Sequence, residues 1–164
     1  MDDTMPSLVE RALKGDQRPL EYYLREQSRL PGSRANLELV SDLSNLLAAI
    51  ASEQPGEVRT LLNYLVVDAK TVASNTPGEF IVLCGVVALG ACAAVRSAWR
   101  REVFALLGKF ATSSAWRVRE GVAIALQRLL PVVPGETIEY LMEVATKGNC
   151  FQQRASIAAI AEPP

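Results

Sequence analysis

The amino-acid sequence predicts an all-α fold, a right-handed α-α superhelix of about nine antiparallel helices. Apolar residues recur at helical spacing along most of the chain, and no long stretch alternates with a period of two as a strand would. Related segments also recur: Gly85–Leu89 lies 36 positions before Gly121–Ala125, and Arg154–Ala158 lies 35 positions after Arg119–Ala123. This period is typical of helix-turn-helix units that bury their apolar sides by stacking.

The tripeptide Pro-Gly-Glu punctuates the chain at 55–57, 77–79 and 134–136 and predicts three helix starts. Proline suits the first helical position because its missing N–H has no partner there, and the glutamate lies where the helix dipole favours negative charge. Thr76 adds a capping box, since its hydroxyl is placed to accept a hydrogen bond from the N–H of Glu79.

The remaining boundaries follow from short Gly-, Pro- or Ser-containing connections and from apolar stripes at helical spacing. The connections are Gly15-Asp16, Leu30 to Ser33, Thr112 to Ser114, Pro131 to Val133 and Gly148-Asn149. We predict helices near 6–14, 17–29, 34–52, 55–73, 77–95, 98–112, 115–130, 134–147 and 150–161. Five of them carry these stripes: Leu39, Leu43, Leu46, Leu47 and Ile50; Val58, Leu61, Leu62, Leu65, Ala69 and Val72; Trp99, Val103, Leu106, Leu107 and Phe110; Val118, Val122, Ala125, Leu126 and Leu129; Ile138, Leu141, Met142 and Ala145.

The helix at 77–95 carries no charge from Phe80 to Val95, a run of sixteen residues that is just short of a membrane span. We interpret it as a core helix, whose glycines and alanines let neighbouring helices approach closely. Residues 1–164 are interpreted as one domain, in which 1–53 form less regular capping helices and 55–162 form the repeats. Such short connections make neighbouring helices antiparallel.

Composition argues against several classes of function. The formal charge of −1 disfavours nonspecific binding to nucleic acid through net charge. The chain has no histidine, and its three cysteines form no C-x-x-C pair, so neither a zinc site nor the usual catalytic triad is expected. No phosphate-binding glycine motif is present. We expect no cofactor and no metal, and an enzyme is less favoured than a binding protein without being excluded.

The cysteines and the N-terminus bear on the compartment. Cys84 and Cys92 lie eight positions apart in one predicted helix, about 12 Å by helical rise and too far for a disulfide. Reduced, buried thiols and an acidic N-terminus without a following apolar run indicate a cytoplasmic protein without a signal peptide and without a membrane span.

One part of the chain resembles a known family. The segment W-R-V-R-E-G-V-A-I-A-L from Trp116, followed by Pro131, a Pro-Gly-Glu start and Ile138–Met142, resembles a HEAT repeat, and Cys150 to Pro163 is similar to the start of a further unit. The resemblance covers about 77–162. It implies a HEAT-like, armadillo-like helical solenoid, and such arrays serve mostly as scaffolds.

A subset of that superfamily, the bacterial alkylpurine DNA glycosylases, binds DNA for alkylation repair. Similarity to these enzymes would imply a basic concave face with aromatic residues and a carboxylate near the damaged nucleotide. Trp99, Trp116 and the nearby arginines match the first requirement. The only acids between Phe80 and Gly135 are Glu102 and Glu120, each beside an arginine in a first helical turn, where a dipole or ion-pair role explains them. No catalytic residue is carried over.

The charge is uneven: residues 96–133 hold seven bases and two acids. A binding surface for phosphates and bases is one interpretation of this segment, and packing of the indoles with local pairing of the arginines is the other. A recurrent arginine such as Arg119 and Arg154 is typical of a ladder between repeats. The candidate binding residues are Arg96, Trp99, Arg100, Arg101, Trp116, Arg117 and Arg119.

We therefore expect a non-catalytic protein-interaction scaffold that binds another protein. The alternative is a nucleic-acid-binding or DNA base-excision protein that uses the basic segment 96–128. Ile157 and Ile160 would leave the C-terminal helix partly open to water, so we also expect a homodimer through the helix at 150–161, unless this helix folds back fully against residues 115–147.

Overall fold

The computed structural model describes residues 4–161, which form nine α-helices and no strand. The all-α prediction is therefore confirmed for this part of the chain. A short 3₁₀ turn, Ser97–Trp99, precedes the sixth helix. The helices are α1 (Thr4–Leu13), α2 (Arg18–Gln27), α3 (Leu37–Ile50), α4 (Pro55–Leu65), α5 (Pro77–Val95), α6 (Arg100–Phe110), α7 (Trp116–Leu129), α8 (Pro134–Lys147) and α9 (Cys150–Ala161).

Helix α5 is the centre of the core, and its side chains are buried on every side from Glu79 to Ala94. It packs between α3 and α7 and also contacts α2, α4 and α6. Among the described helices, α5 alone is long and apolar enough to cross a bilayer, but 83% of its most apolar 18-residue window is buried inside the fold. This burial accounts for the absence of charge from Phe80 to Val95, because a charge there would need a buried partner, as Glu79 at the helix start has in Arg117.

Alternate helices pack side by side in chain order. Helix α5 contacts α3 and α7, and α7 in turn contacts α9, while α4 and α6 pack against α5 and α8 packs against α7 and α9. Buried residues from α1 to α9 belong to a single hydrophobic core. The handedness of this arrangement, and its extension into a superhelix, stay predictions.

Glycines set the distance between α5 and its neighbours. A Cβ added at Gly90 would lie 2.7 Å from the Cβ of Ala125 and 2.9 Å from its Cα, and one added at Gly121 would lie 2.9 Å from Leu83. Gly90 of α5 thus lies against the backbone of α7 at Ala125, where only hydrogen fits, and Gly121 of α7 makes room for the side chain of Leu83. The small residues of α5 are therefore explained by packing.

Three helix starts follow the Pro-Gly-Glu pattern, because Pro55, Pro77 and Pro134 each occupy the first turn. At α5 the capping bond is present: the N–H of Glu79 donates to the Thr76 hydroxyl at 3.2 Å. The carboxylate of Glu79 does not close the capping box on Thr76 itself. It accepts instead from the N–H of Asn75 at 2.9 Å.

The predicted helix at 55–73 is shorter in the structure, where α4 ends at Leu65 and turns follow to Thr71. Val66, the C-cap, has φ −100° and ψ 4°, outside the helical region. Val66 and Val67 are β-branched and weaken the helix, and Asp68 accepts backbone bonds from Thr71 and Val72 in the turn.

The predicted stripe of α8 is only partly correct. Leu141 is buried as expected, whereas Ile138, Met142 and Ala145 are exposed. The buried face contains Thr137 and Val144 instead, one position before each expected residue, which rotates the face by about 100°.

Candidate interaction surface

Arg100, predicted as a binding residue, is a helix cap. Its Nε donates to the carbonyl of Ala93 at 2.9 Å, its Nη2 donates to that of Ala94 at 3.1 Å, and its Nη1 lies 3.2 Å from Oε1 of Glu136. The last carbonyls of a helix have no partner within the helix, and a cation there also opposes the dipole favourably. Arg100 therefore closes the C-terminus of α5.

Trp99 lies beside this helix end and is partly buried against the core. The guanidinium groups of Arg59 and Arg96 lie 5.6 and 5.8 Å from its ring centroid, within the range of cation–π contacts. Arg59 also binds Glu102 at 2.7 Å, which gives Glu102 an ion-pair role. Trp99 thus packs within the protein. The neighbouring candidate Arg101 is exposed and lines a groove between α6 and α8.

Arg117 is also predicted as a binding residue, and it is buried at the opposite end of α5. Its Nη1 lies 3.3 Å from Oε1 of Glu79, and its Nη2 donates to the carbonyl of Gly32 at 2.9 Å. The Asn75 side chain accepts from Nη1 at 3.4 Å and from the N–H of Gly32 at 3.0 Å. Arg117 therefore ties the loop before α3 and the start of α5 to α7.

The basic segment 96–128 is consequently divided. Arg100 binds Ala93 and Arg117 binds Glu79, fourteen positions apart on α5, which corresponds to about 21 Å of helical rise. Arg128 binds a third region, since its guanidinium donates to Asn45 and Ser41 of α3, each at 2.7 Å. Burial lowers the pKa of Arg128.

A surface with free cations and exposed aromatics surrounds Trp116. This indole is 47% exposed at the start of α7, and Phe151, near the start of α9, is 45% exposed. A cavity of about 390 Å³ lies on one side, against the loop before α3, and one of about 140 Å³ lies on the other, against α9. We call this the Trp116 surface; it comprises Arg29, Arg34, Trp116, Arg119, Phe151 and Arg154.

The Trp116 surface is positively charged. Within residues 4–161 no carboxylate lies within 4.0 Å of the guanidinium groups of Arg29, Arg34 or Arg154. Arg119 donates to the carbonyl of Ser113 at 2.6 Å, and its guanidinium lies 5.5 Å from the Phe151 centroid. Apart from the ion-paired Arg117, the two cavities are lined by four arginines and by Glu38 and Glu120, a formal charge of +2.

The sequence indicated only part of this surface. The sequence predicts Trp116 and Arg119, but Arg29 and Arg34 come from a loop that is bound to the rest of the protein at Gly32, by Arg117 and Asn75. No local pattern links that loop to α7. Arg154 did have a signal, its recurrence 35 positions after Arg119. Arg119 donates to the carbonyl of Ser113, in the turn directly before its own helix, so this bond does not form the predicted ladder between repeats, and Arg154 is exposed.

The groove between α6 and α8 is larger, about 720 Å³. Phe104 and Tyr140 stack in its wall with centroids 4.8 Å apart, and burial raises the pKa of Tyr140 to about 12. The charges along it are balanced, so the groove does not select a ligand by its sign. These are Arg101, Lys109, Lys147, Glu136, Glu139 and Glu143.

Comparisons with known proteins add no assignment. No protein-family model, curated protein or solved structure matches this chain. Among residues 4–161, no group of three or more histidine, cysteine, aspartate or glutamate side chains is arranged to hold a metal ion. The resemblance to HEAT repeats therefore stays a prediction from the sequence.

Proposed function

We propose that this protein is a non-catalytic protein-interaction module that binds a partner protein at the Trp116 surface. The observation that carries the proposal is the exposure of Trp116 and Phe151 on one surface with arginines that have no acidic partner. Tryptophan, phenylalanine and arginine are the residues enriched in protein interfaces, and tryptophan and arginine dominate their binding energy.

The attachment of this surface to the core supports the same proposal. Trp116 begins α7, and the next residue, Arg117, is buried in its ion pair with Glu79 while its guanidinium lies 4.8 Å from the Trp116 centroid. The indole is therefore held by a fixed neighbour on a helix of the core. A side chain that is already ordered loses less entropy on binding.

A protein partner is favoured over nucleic acid by the state of segment 96–128. Arg100, Arg117 and Arg128 are each bound to protein groups, at three separate places. The described part of the segment thus offers no continuous row of free cations, which phosphate backbones require. The HEAT-like interpretation agrees with a scaffold, because stacked helices present extended surfaces to partners.

A site-specific crosslink tests the proposal. A photoreactive phenylalanine analogue replaces Trp116 in one variant and Val67, which is exposed elsewhere, in a control. We expect a protein adduct at position 116 alone. The partner, identified by mass spectrometry and purified, should bind Trp116→Ala at least tenfold more weakly than wild type, since loss of a central tryptophan costs about 2 kcal/mol or more. A nuclease-sensitive adduct, or equal binding by Trp116→Ala, would contradict the proposal.

We also propose that two copies associate through the C-terminal helices. Ile157 and Ile160 of α9 are each 67% exposed, and Ile138 and Met142 of α8 are exposed as well. The two stripes adjoin, because Gln153 of α9 donates to the carbonyl of Ala145 of α8 at 3.1 Å. The four exposed side chains that define this face are apolar and uncharged, so two copies that meet across a twofold axis bury apolar surface there.

A further inference from the structure

We infer that the segment recognised by the Trp116 surface is an acidic stretch of polypeptide with an apolar side chain, which enters the cavity between Trp116 and the loop before α3. This inference rests on the proposed function and specifies the chemistry of the partner. The residues that form this surface lie on three separate segments of the sequence, the loop before α3, α7 and α9.

The arginines on either cavity indicate that the partner is acidic. Arg34 belongs to the loop before α3 and Arg154 to α9, and they line two different cavities, which share Trp116 and Glu120. Neither has a carboxylate within 4.0 Å in the described part of the chain. Guanidinium groups bind carboxylates in a bidentate manner. A partner with acids on both sides of a central contact would therefore match this arrangement.

The cavity between Trp116 and the loop before α3 indicates that the partner also supplies an apolar side chain. It measures about 390 Å³, more than ten times the ~30 Å³ that a water molecule occupies in the liquid. Its walls include Leu37 and Trp116, both large and partly exposed, together with Ala35. An apolar side chain that enters it would remove these walls from water, and the burial of apolar surface stabilises a complex.

The two glutamates favour a polypeptide over a nucleic acid. Glu38 and Glu120 line the same cavity as Arg29 and Arg34. A nucleic-acid strand carries a negative charge at every phosphate, so these carboxylates would repel it along its length. A peptide alternates charged, apolar and donor groups, and it can place its carboxylates opposite the arginines and a backbone N–H opposite Glu38.

A selection from random peptides of about a dozen residues tests the inference without knowledge of the natural partner. The protein carries Trp99→Phe, which leaves Trp116 as the only tryptophan and makes its fluorescence a reporter of the surface. We expect selected peptides that are rich in aspartate and glutamate around one aromatic or aliphatic residue. They should change the emission of Trp116 and bind about tenfold more weakly when added salt screens the charges.

Charge reversal supplies the matched control. The double variant Arg34→Glu, Arg154→Glu should lose at least tenfold in affinity for the selected peptides, whereas Arg18→Glu, Arg101→Glu, which makes the same change at exposed positions elsewhere, should lose less than twofold. Circular dichroism melting of both variants shows that the fold is retained. Equal losses in the two double variants would overturn the inference.

The outcomes separate this inference from the function on which it rests. Peptides that depend on Trp116 but contain no excess of acids would overturn the acidic partner and leave the interaction module standing. If no peptide depends on Trp116 and single-stranded oligothymidylate binds instead, both are wrong. Absence of binding by either probe also overturns the inference.

Discussion

Glu79 and Arg117 form an ion pair that is closed to solvent: their side chains are 0% and 3% exposed, and Oε1 of Glu79 lies 3.3 Å from Nη1 of Arg117. The carboxylate also accepts from the backbone N–H groups of Asn75 and Arg117. Charges in an interior need such partners, because the loss of hydration costs several kcal/mol per ion. The pair joins the starts of α5 and α7 and positions the Trp116 surface.

Replacement of Glu79 by glutamine should destabilise the protein by about 3 to 5 kcal/mol, since it leaves the guanidinium of Arg117 buried without a counter-charge. Urea unfolding at neutral pH measures the loss. Asp16→Asn is the matched control, because it removes the same charge from the exposed pair of Asp16 and Arg11 and should cost less than about 1 kcal/mol. Equal effects of the two substitutions would show that burial does not decide the energy of the Glu79 pair.

The Tyr64 hydroxyl donates to the carboxylate of Glu21, and this bond, with help from Arg25, holds the pKa of Glu21 below its ordinary value near 4.5. A depressed pKa stabilises the fold above the unfolded value, and this contribution is lost as the pH falls through the folded pKa. Stability from Glu21 should therefore be complete above about pH 5 and decline in more acidic solution.

Tyr64→Phe should raise the pKa of Glu21 and cost roughly 1 to 2 kcal/mol at neutral pH, because a hydrogen bond to a charged group is lost. Carboxyl NMR titration measures the first effect and urea unfolding the second. The difference between variant and wild type should shrink at low pH. Tyr22→Phe, at an exposed tyrosine, serves as control and should change neither quantity.

Gly90→Ala should destabilise the protein by about 1 to 3 kcal/mol, because the new methyl group would lie 2.7 to 3.0 Å from the backbone and Cβ of Ala125 and would force α5 and α7 apart. Thermal or urea unfolding checks this. Gly56→Ala in α4 meets nothing within 4 Å and should be neutral or slightly stabilising, since alanine favours helix. A neutral Gly90→Ala would mean that the two helices separate at little cost.

Ile157→Glu with Ile160→Glu should abolish self-association, since it replaces two exposed apolar side chains of α9 by charged ones. Sedimentation equilibrium at micromolar concentration should give a dimer for wild type and a monomer for the variant. Val67→Glu, at a residue that is 73% exposed outside this face, should remain dimeric. A monomeric wild type would reject the dimer proposal.

Much of the helical framework could be predicted because its signals are local. The start of α5 follows from Thr76, Pro77 and Glu79, which satisfy and charge one helix end within four residues. The end of α4 could not be predicted as well, because Ala69 is buried and continues the apolar stripe although the chain has already left the helix. Ala69 is buried without being helical, so the apolar stripe at 58–72 indicates burial but not where the helix ends.

The candidate site was predictable only where its residues share one segment. The sequence predicts Trp116 and Arg119 as binding residues, but it predicts Arg100 equally. The guanidinium of Arg100 is occupied by hydrogen bonds to Ala93 and Ala94. Whether an arginine caps a helix or faces solvent depends on the carbonyls that packing brings to it. An arginine gives the same signal in the sequence in either case.

The all-α class, most helix starts and the apolar core helix at 77–95 follow from local sequence signals, because helix caps and apolar periodicity act within a few residues. Tertiary structure alone decided which face of α8 is buried and which arginines remain free. It also brought the loop before α3 beside Trp116, through the bonds of Arg117 to Glu79 and Gly32. These contacts join residues up to 85 positions apart, and their energy exists only once the helices have packed.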